Sequence, residues 1–284
     1  MRLATLSRPD STGSRVVAWH PEGAIDLSPT PLPRTLREII AQDLLPAVAA
    51  ELARGTLPLL PAASLHFLPP IPDPRKIICI GLNYRDHATE QGAPIPKEPV
   101  VFSKFPTALS GHEHPIQLPR VSQEVDYEAE LVVVLGRAGR DIPTELALEH
   151  VAGYMVGHDV SARDWQKKKD GKQWLLGKSF DGFAPTGPWF VTRDEVPDPH
   201  ALPIRLRLNG QIMQESNTAQ LIFSVPYLIN YVSQVCTLEP GDLLFTGTPS
   251  GVGFARTPPV FLQGGDVVEV EIEGLGLLRN SVRA

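Results

Sequence analysis

Only two cysteines, Cys79 and Cys236, occur in the 284 residues, and both sit inside apolar segments far apart in the chain. That removes a disulfide framework as the source of stability and makes a reducing, cytoplasmic setting the expectation. No apolar run approaches the ~20 residues a membrane helix needs. The opening Met1-Arg2-Leu3-Ala4 runs into polar sequence without the apolar core of a secretory signal. Positive charge is also short: 26 Lys and Arg against 32 Asp and Glu give a net charge of −6, which argues against a phosphate-binding surface. The densest basic run, Lys167-Lys168-Lys169, is followed by Asp170 and reads as a solvated helix end. These absences leave a soluble protein that works on small molecules, with neither nucleic acid nor membrane as a partner.

What is present is turn chemistry. The 29 prolines and 23 glycines stand between short, strongly apolar runs, so they read as punctuation among many strands. Arg15–Trp19 and Gly23–Leu27 read as strands, and Leu36, Ile39, Ile40, Leu44, Leu45, Val48 and Leu52 space one helix from Thr35 to about Arg54. The proline-rich stretch from Pro58 to Pro74 reads as an extended linker. Further strands are expected at Ile77–Gly81, Tyr127–Leu135, Val151–His158, Trp189–Thr192, Asp242–Thr246 and Asp266–Ile272. Two β-runs around Asn209-Gly210 predict a hairpin. A short helical turn is expected from Asn83 to Gln91, and helices at Arg163–Lys169 and Val225–Val235. The class is α+β, mainly β, with strands curling into a roll or barrel. A small N-terminal α/β domain with its linker occupies residues 1–70, and the catalytic domain residues 71–284.

The chemistry concentrates at Val125-Asp126-Tyr127-Glu128-Ala129-Glu130. Glu128 and Glu130, two apart in a strand, leave one face with Cα atoms about 7 Å apart at a rise of about 3.3 Å per residue. The competing reading is a polar face turned to water. Asp159, at the tip of the apolar run 152–158, shifts the balance. Like charges about 4 Å apart repel by about 4 kcal/mol at an effective dielectric near 20. Three gathered acids therefore need a cation or protons. All-oxygen ligation favours Mg²⁺, then Mn²⁺ or Ca²⁺, and no His/Cys set suits zinc.

His87 and Glu90, three apart on a helical turn after a buried strand, form either a general-base dyad or an exposed ion pair. Three acids around a divalent ion leave one net negative charge, which Lys178 and Arg163 would offset for an anionic substrate. Thr248, in the glycine-rich turn Thr246–Gly253, is a candidate contact for a substrate carboxylate.

In this order the motifs resemble the fumarylacetoacetate hydrolase family over residues 75 to 284. They are Asn83-Tyr84 with His87 and Glu90, Asp126 to Leu131, Gly157 to Asp164, Gly177-Lys178-Ser179-Phe180-Asp181, and Thr246 to Gly253. The resemblance implies a β-rich roll around Mg²⁺ or Mn²⁺, a homodimer, and substrates that are 1,3-diketo or 2-oxo acids. It implies Glu128, Glu130 and Asp159 as metal ligands, His87 with Glu90 as the water-activating dyad, and Lys178 near the developing oxyanion. Arg163 and Gln166 would lie near the substrate, and Thr248 on its carboxylate. C–C hydrolysis of acylpyruvates is the leading expectation, with oxaloacetate tautomerisation, isomerisation or decarboxylation as the alternative. The run Lys172–Lys178 and the tail Pro258–Leu262 look most like the oxaloacetate tautomerase branch.

Overall fold

The computed structural model describes residues 1–8 and 13–284. The leading part holds β1 (Arg2–Ser7), β2 (Ser14–His20), β3 (Gly23–Asp26), α1 (Leu36–Ala41), α2 (Leu45–Ala53) and β4 (Leu59–Pro61). Then come β5 (Ile77–Gly81), α3 (Arg85–Glu90), β6 (Val100–Ser103), β7 (Leu109–Ser110), β8 (Ile116–Gln117), β9 (Val125–Asp126) and β10 (Ala129–Leu135). The next elements are β11 (Val151–His158), β12 (Ser161–Ala162), α4 (Trp174–Lys178) and β13 (Ala184–Thr192). The chain finishes with β14 (Pro203–Leu208), β15 (Gln211–Asn217), α5 (Val225–Ser233), β16 (Leu243–Phe245), β17 (Val267–Ile272) and β18 (Gly276–Arg283).

An eleven-stranded sheet runs β4-β3-β2-β1-β13-β11-β10-β16-β5-β6, with β7 added beside β13. A five-stranded sheet, β15-β14-β17-β18-β8, packs beside it. The fold is mainly β, and both strand paths are open, so the roll does not close into a barrel. Period-two geometry explains the uninterrupted apolar runs of the central strands. In β10, Leu131 and Val133 face a core shared with Leu206, Val270 and α5, while Val132 and Val134 face Leu36, Ile39 and Val48. Both faces are buried, so both parities must be apolar.

The structure departs from the sequence reading in four places. The single helix over residues 35–54 is two, because Asp43 takes a left-handed φ of 55° between them and Pro46 stands in the first turn of α2. Thr35 caps α1 through Glu38 N–H at 3.2 Å. The proline-rich linker lies against the sheet: Leu59–Pro61 pairs with β3, and Thr5 Oγ1 donates to Pro70 O at 2.7 Å. Strand 127–135 is interrupted, with Tyr127 and Glu128 between β9 and β10. The turn at 164–168 is a π-helix. The hairpin at Asn209-Gly210 stands as read, with Asn209 at φ 52° and Gly210 at φ 80°. Both thiols are free. Among the described residues, no helix is long and apolar enough to cross a membrane.

Candidate metal centre and active site

Register brings the acids together. β10 and β11 run antiparallel with Glu130 opposite Gly157 and Ala129 opposite His158. Glu130 and Gly157 therefore share a face, and Asp159, two residues further on, emerges on that same side. Asp159 N–H donates to Glu128 O at 2.9 Å, which ties the third acid to the break in the strand. One carboxylate oxygen from each of Glu128, Glu130 and Asp159 lies within 4.8 Å of the others, and all three residues are buried. The sequence pattern predicts both glutamates on one regular strand. In the structure Glu128 reaches the cluster from irregular backbone.

The donors around these acids fit a hard divalent cation. Lys178 Nζ donates to Glu128 Oε2 at 2.7 Å and Asp159 Oδ2 at 2.9 Å. Arg163 Nη2 donates to Glu128 Oε1 at 2.5 Å. Against its burial, the Lys178 and Arg163 charges hold the Glu128 carboxyl well below the usual carboxylate range. Glu130 goes the other way: burial, then the Asp159 and Glu128 charges, push it well above that range. Its protein donor is Gly247 N–H at 2.8 Å. Asp159 Oδ1 lies 2.6 Å from Lys104 Nζ yet receives no directed hydrogen bond. The three protons of Lys104 go instead to the carbonyls of Val160 (3.2 Å), Phe183 (2.8 Å) and Lys178. A buried carboxyl that resists ionisation between two other acids is what a cation would relieve.

His87 Nδ1 is 3.0 Å from Glu90 Oε2, and its Nε2 is 2.6 Å from Gln91 Nε2. With Nδ1–H donating to Glu90, Nε2 is left to accept from the Gln91 amide. Glu90 Oε1 accepts from Gly251 N–H at 2.8 Å, so the glycine-rich turn orients the dyad. Gly251 has φ +100°, and a Cβ there would sit 2.0 Å from Met213 O. Gly251→Ala is therefore expected to cost about 2–4 kcal/mol in urea unfolding, from backbone strain plus overpacking. Unchanged stability would contradict this account of the turn.

His87, Glu128, Glu130, Asp159, Arg163, Gln166, Lys178 and Thr248 all line one cavity of about 120 Å³, and Glu90 sits behind His87. Thr248 Oγ1 accepts from Gln214 Nε2 at 2.9 Å, and Gln214 Oε1 accepts from Ala129 N–H at 2.8 Å. Gln166 Oε1 accepts from Arg163 Nη1 at 2.9 Å.

Several groups around the cavity escape a reading by sequence. Asp126, fully buried, accepts from Arg163 Nε (2.8 Å), Gly253 N–H (2.7 Å) and Phe254 N–H (3.1 Å). It positions both the arginine and the loop. Lys104 reads as an ordinary loop lysine, and Gln91 and Gln214 carry no motif. Lys167 is a correction: its ammonium stands 3.5 Å over the Phe254 ring and lines the cavity. Partial burial, then the Arg163 charge, bring its pKa down to about 8.

The profile described as fumarylacetoacetate (FAA) hydrolase C-terminal matches residues 76–283. The chain belongs to the fumarylacetoacetate hydrolase family. A Bos taurus protein named "Oxaloacetate tautomerase FAHD2A, mitochondrial" is 50% identical over 99% of this chain and 91% of its own length. Fumarylacetoacetate hydrolase from Exiguobacterium antarcticum superposes with a TM-score of 0.87 at 37% identity, covering 100% of this chain and 99% of that one. A 2-hydroxyhepta-2,4-diene-1,7-dioate isomerase from Mycobacterium marinum does so at 0.76 and 34%, covering 100% and 98%. Family membership makes the chain an enzyme, a hydrolase or an isomerase/tautomerase of small 2-oxo acids. The cytoplasmic expectation is overturned, because a relative at 50% identity over nearly the whole chain is named as mitochondrial. A low cysteine count reports a reducing environment and cannot separate compartments that share one.

Proposed function

We propose that this enzyme interconverts the enol and keto forms of oxaloacetate or a closely similar small 2-oxo diacid, with a divalent cation, Mg²⁺ or Mn²⁺. The observation that carries the reading is the meeting of the His87–Glu90 dyad with the three-acid cluster on one cavity of about 120 Å³. That volume is far below the ~300–1,000 Å³ of pockets for drug-sized ligands, so it suits a compact diacid better than an extended acylpyruvate. The bovine relative's name supplies the substrate and moves the weight from C–C hydrolysis to the tautomerase alternative.

A cation held by Glu128, Glu130 and Asp159 would polarise the 2-oxo oxygen as a Lewis acid. The rest falls to side chains. In tautomerisation the enol hydroxyl loses a proton, C3 gains one, and the carbon–carbon double bond becomes a C2 carbonyl. His87 Nε2, an acceptor once Gln91 is displaced, takes or returns that proton, and Glu90 stabilises the imidazolium. Lys178 places its charge beside the oxygen on which negative charge grows. Arg163, Gln166 and Thr248 orient the acid.

Fresh enol-oxaloacetate should lose its enol absorbance faster with enzyme and Mg²⁺ or Mn²⁺, and exhaustive chelation should abolish the acceleration. Acylpyruvates should release little pyruvate. Rapid acylpyruvate cleavage with no enol loss would reverse the assignment.

The profile match beginning at residue 76 supports the division into a leading unit, 1–70, and a catalytic unit, 71–284. A homodimer is also proposed. Supporting it are Val101 (45% exposed) and Val235 (76% exposed), which line one groove of about 600 Å³.

A further inference from the structure

The cavity is lined by three cations, and two of them are already spent. Arg163 gives Nε to Asp126, Nη1 to Gln166 and Nη2 to Glu128. Lys178 gives its protons to Glu128 and Asp159. Lys167 alone among the lining cations has no carboxylate partner within the described residues, and its ammonium lies over Phe254 at 3.5 Å. Its two neighbours turn elsewhere: Lys168 pairs with Glu124, and Lys169 stands over Trp165 at 4.8 Å. One residue of the basic run has thus been selected for the cavity. The π-turn Asp164–Lys168 puts Gln166 and Lys167, adjacent in sequence, on the same cavity wall. Phe254 is fixed in turn by its N–H bond to Asp126, and the Arg163 guanidinium lies 4.4 Å from the same ring.

A diacid brings two carboxylates. The one beside the oxo group belongs with the acid cluster and its cation, whereas the distal one needs a positive group whose charge is not already balanced. We propose that Lys167 is the specificity-determining residue that receives the distal carboxylate of the substrate, seated on Phe254 until that carboxylate arrives. This rests on the reading of the substrate as a small 2-oxo diacid. A cation held over an aromatic face keeps its N–H donors available while its stem is restrained, so a carboxylate can be met without first breaking an ion pair.

Oxaloacetate is pyruvate with a carboxylate added at the methyl carbon, so the pair isolates the contact. Calorimetric titration of the full chain with each, in the presence of Mg²⁺, should show wild type preferring oxaloacetate. K167M keeps the length and apolar stem, and should weaken oxaloacetate binding about 10- to 100-fold, the range for one charge-assisted hydrogen bond. Pyruvate binding should be unchanged, and K167R should recover most of the loss. In turnover, K167M should raise KM for enol-oxaloacetate and leave kcat near wild type. Equal weakening of both ligands, no weakening, or a wild type without preference for oxaloacetate would overturn the assignment. Wild type that binds oxaloacetate through Lys167 but leaves its enol lifetime unchanged would support this contact and refute the tautomerase reading.

Discussion

Glu130→Gln is expected to abolish productive metal binding while leaving the protein folded and, without metal, as stable as wild type or more so. The asymmetry follows from the surroundings of the three acids. Glu128 and Asp159 are each paired with lysine or arginine, so neutralising either would strand a buried cation, a change that typically costs about 3–5 kcal/mol. Among the described residues Glu130 has no such partner; its donor is the Gly247 amide, which a glutamine oxygen can still satisfy. Neutralising it removes repulsion toward Asp159 and Glu128 and keeps the shape. Metal affinity should fall at least about 100-fold, at or beyond the effect of disturbing a ligand's own partners. Turnover should fall about 1,000-fold with the loss of Lewis-acid polarisation. Calorimetric metal titration and thermal unfolding with and without Mg²⁺ check both halves. Metal affinity equal to wild type would remove Glu130 from the ligand set.

His87→Asn should lower kcat about 10²- to 10⁴-fold, the usual contribution of a positioned general base. Metal affinity should remain, because His87 is hydrogen-bonded to Glu90 and Gln91 and not to an acid of the cluster. The split between turnover and metal binding is the decisive readout. Full activity in this variant would move the proton transfer to another group lining the cavity, with Lys178 first in line.

Much of the fold and the site is legible in the sequence, for a physical reason. Strands buried on both faces must be apolar at every position, so β5, β10, β11 and β16 announce themselves. The Asn209-Gly210 turn fixes its hairpin locally. Asp159 stood out because an acid ending a buried strand is costly unless something compensates it. Other features were hidden because their cause is tertiary. β18 alternates charged and apolar residues too irregularly to stand out, and is held by β17 and β8. Lys104 follows Ser103 in an unremarkable loop, and only the convergence of three carbonyls from distant segments makes it buried. Asp126 looked like one more polar position beside Glu128 and Glu130. Its importance lies in two loop amides more than 120 residues away, which no local pattern records. Lys167 was masked by its neighbours, since a run of three lysines reads as a single solvated block.

The pairing of β1 with β13, through Arg2 with Val191 and Leu3 with Phe190, has a practical consequence for anyone isolating the family region. β13 is bonded on its other side to β11, the strand that delivers Asp159. A truncation starting at residue 71 would strip β1 away and leave the Phe190–Val191 end of β13 as an open edge, with the apolar cover of Leu3, Leu36 and Ile39 gone from the layer beneath. Such an unprotected rim recruits any other extended segment, so the shortened protein should self-associate before its chemistry can be tested.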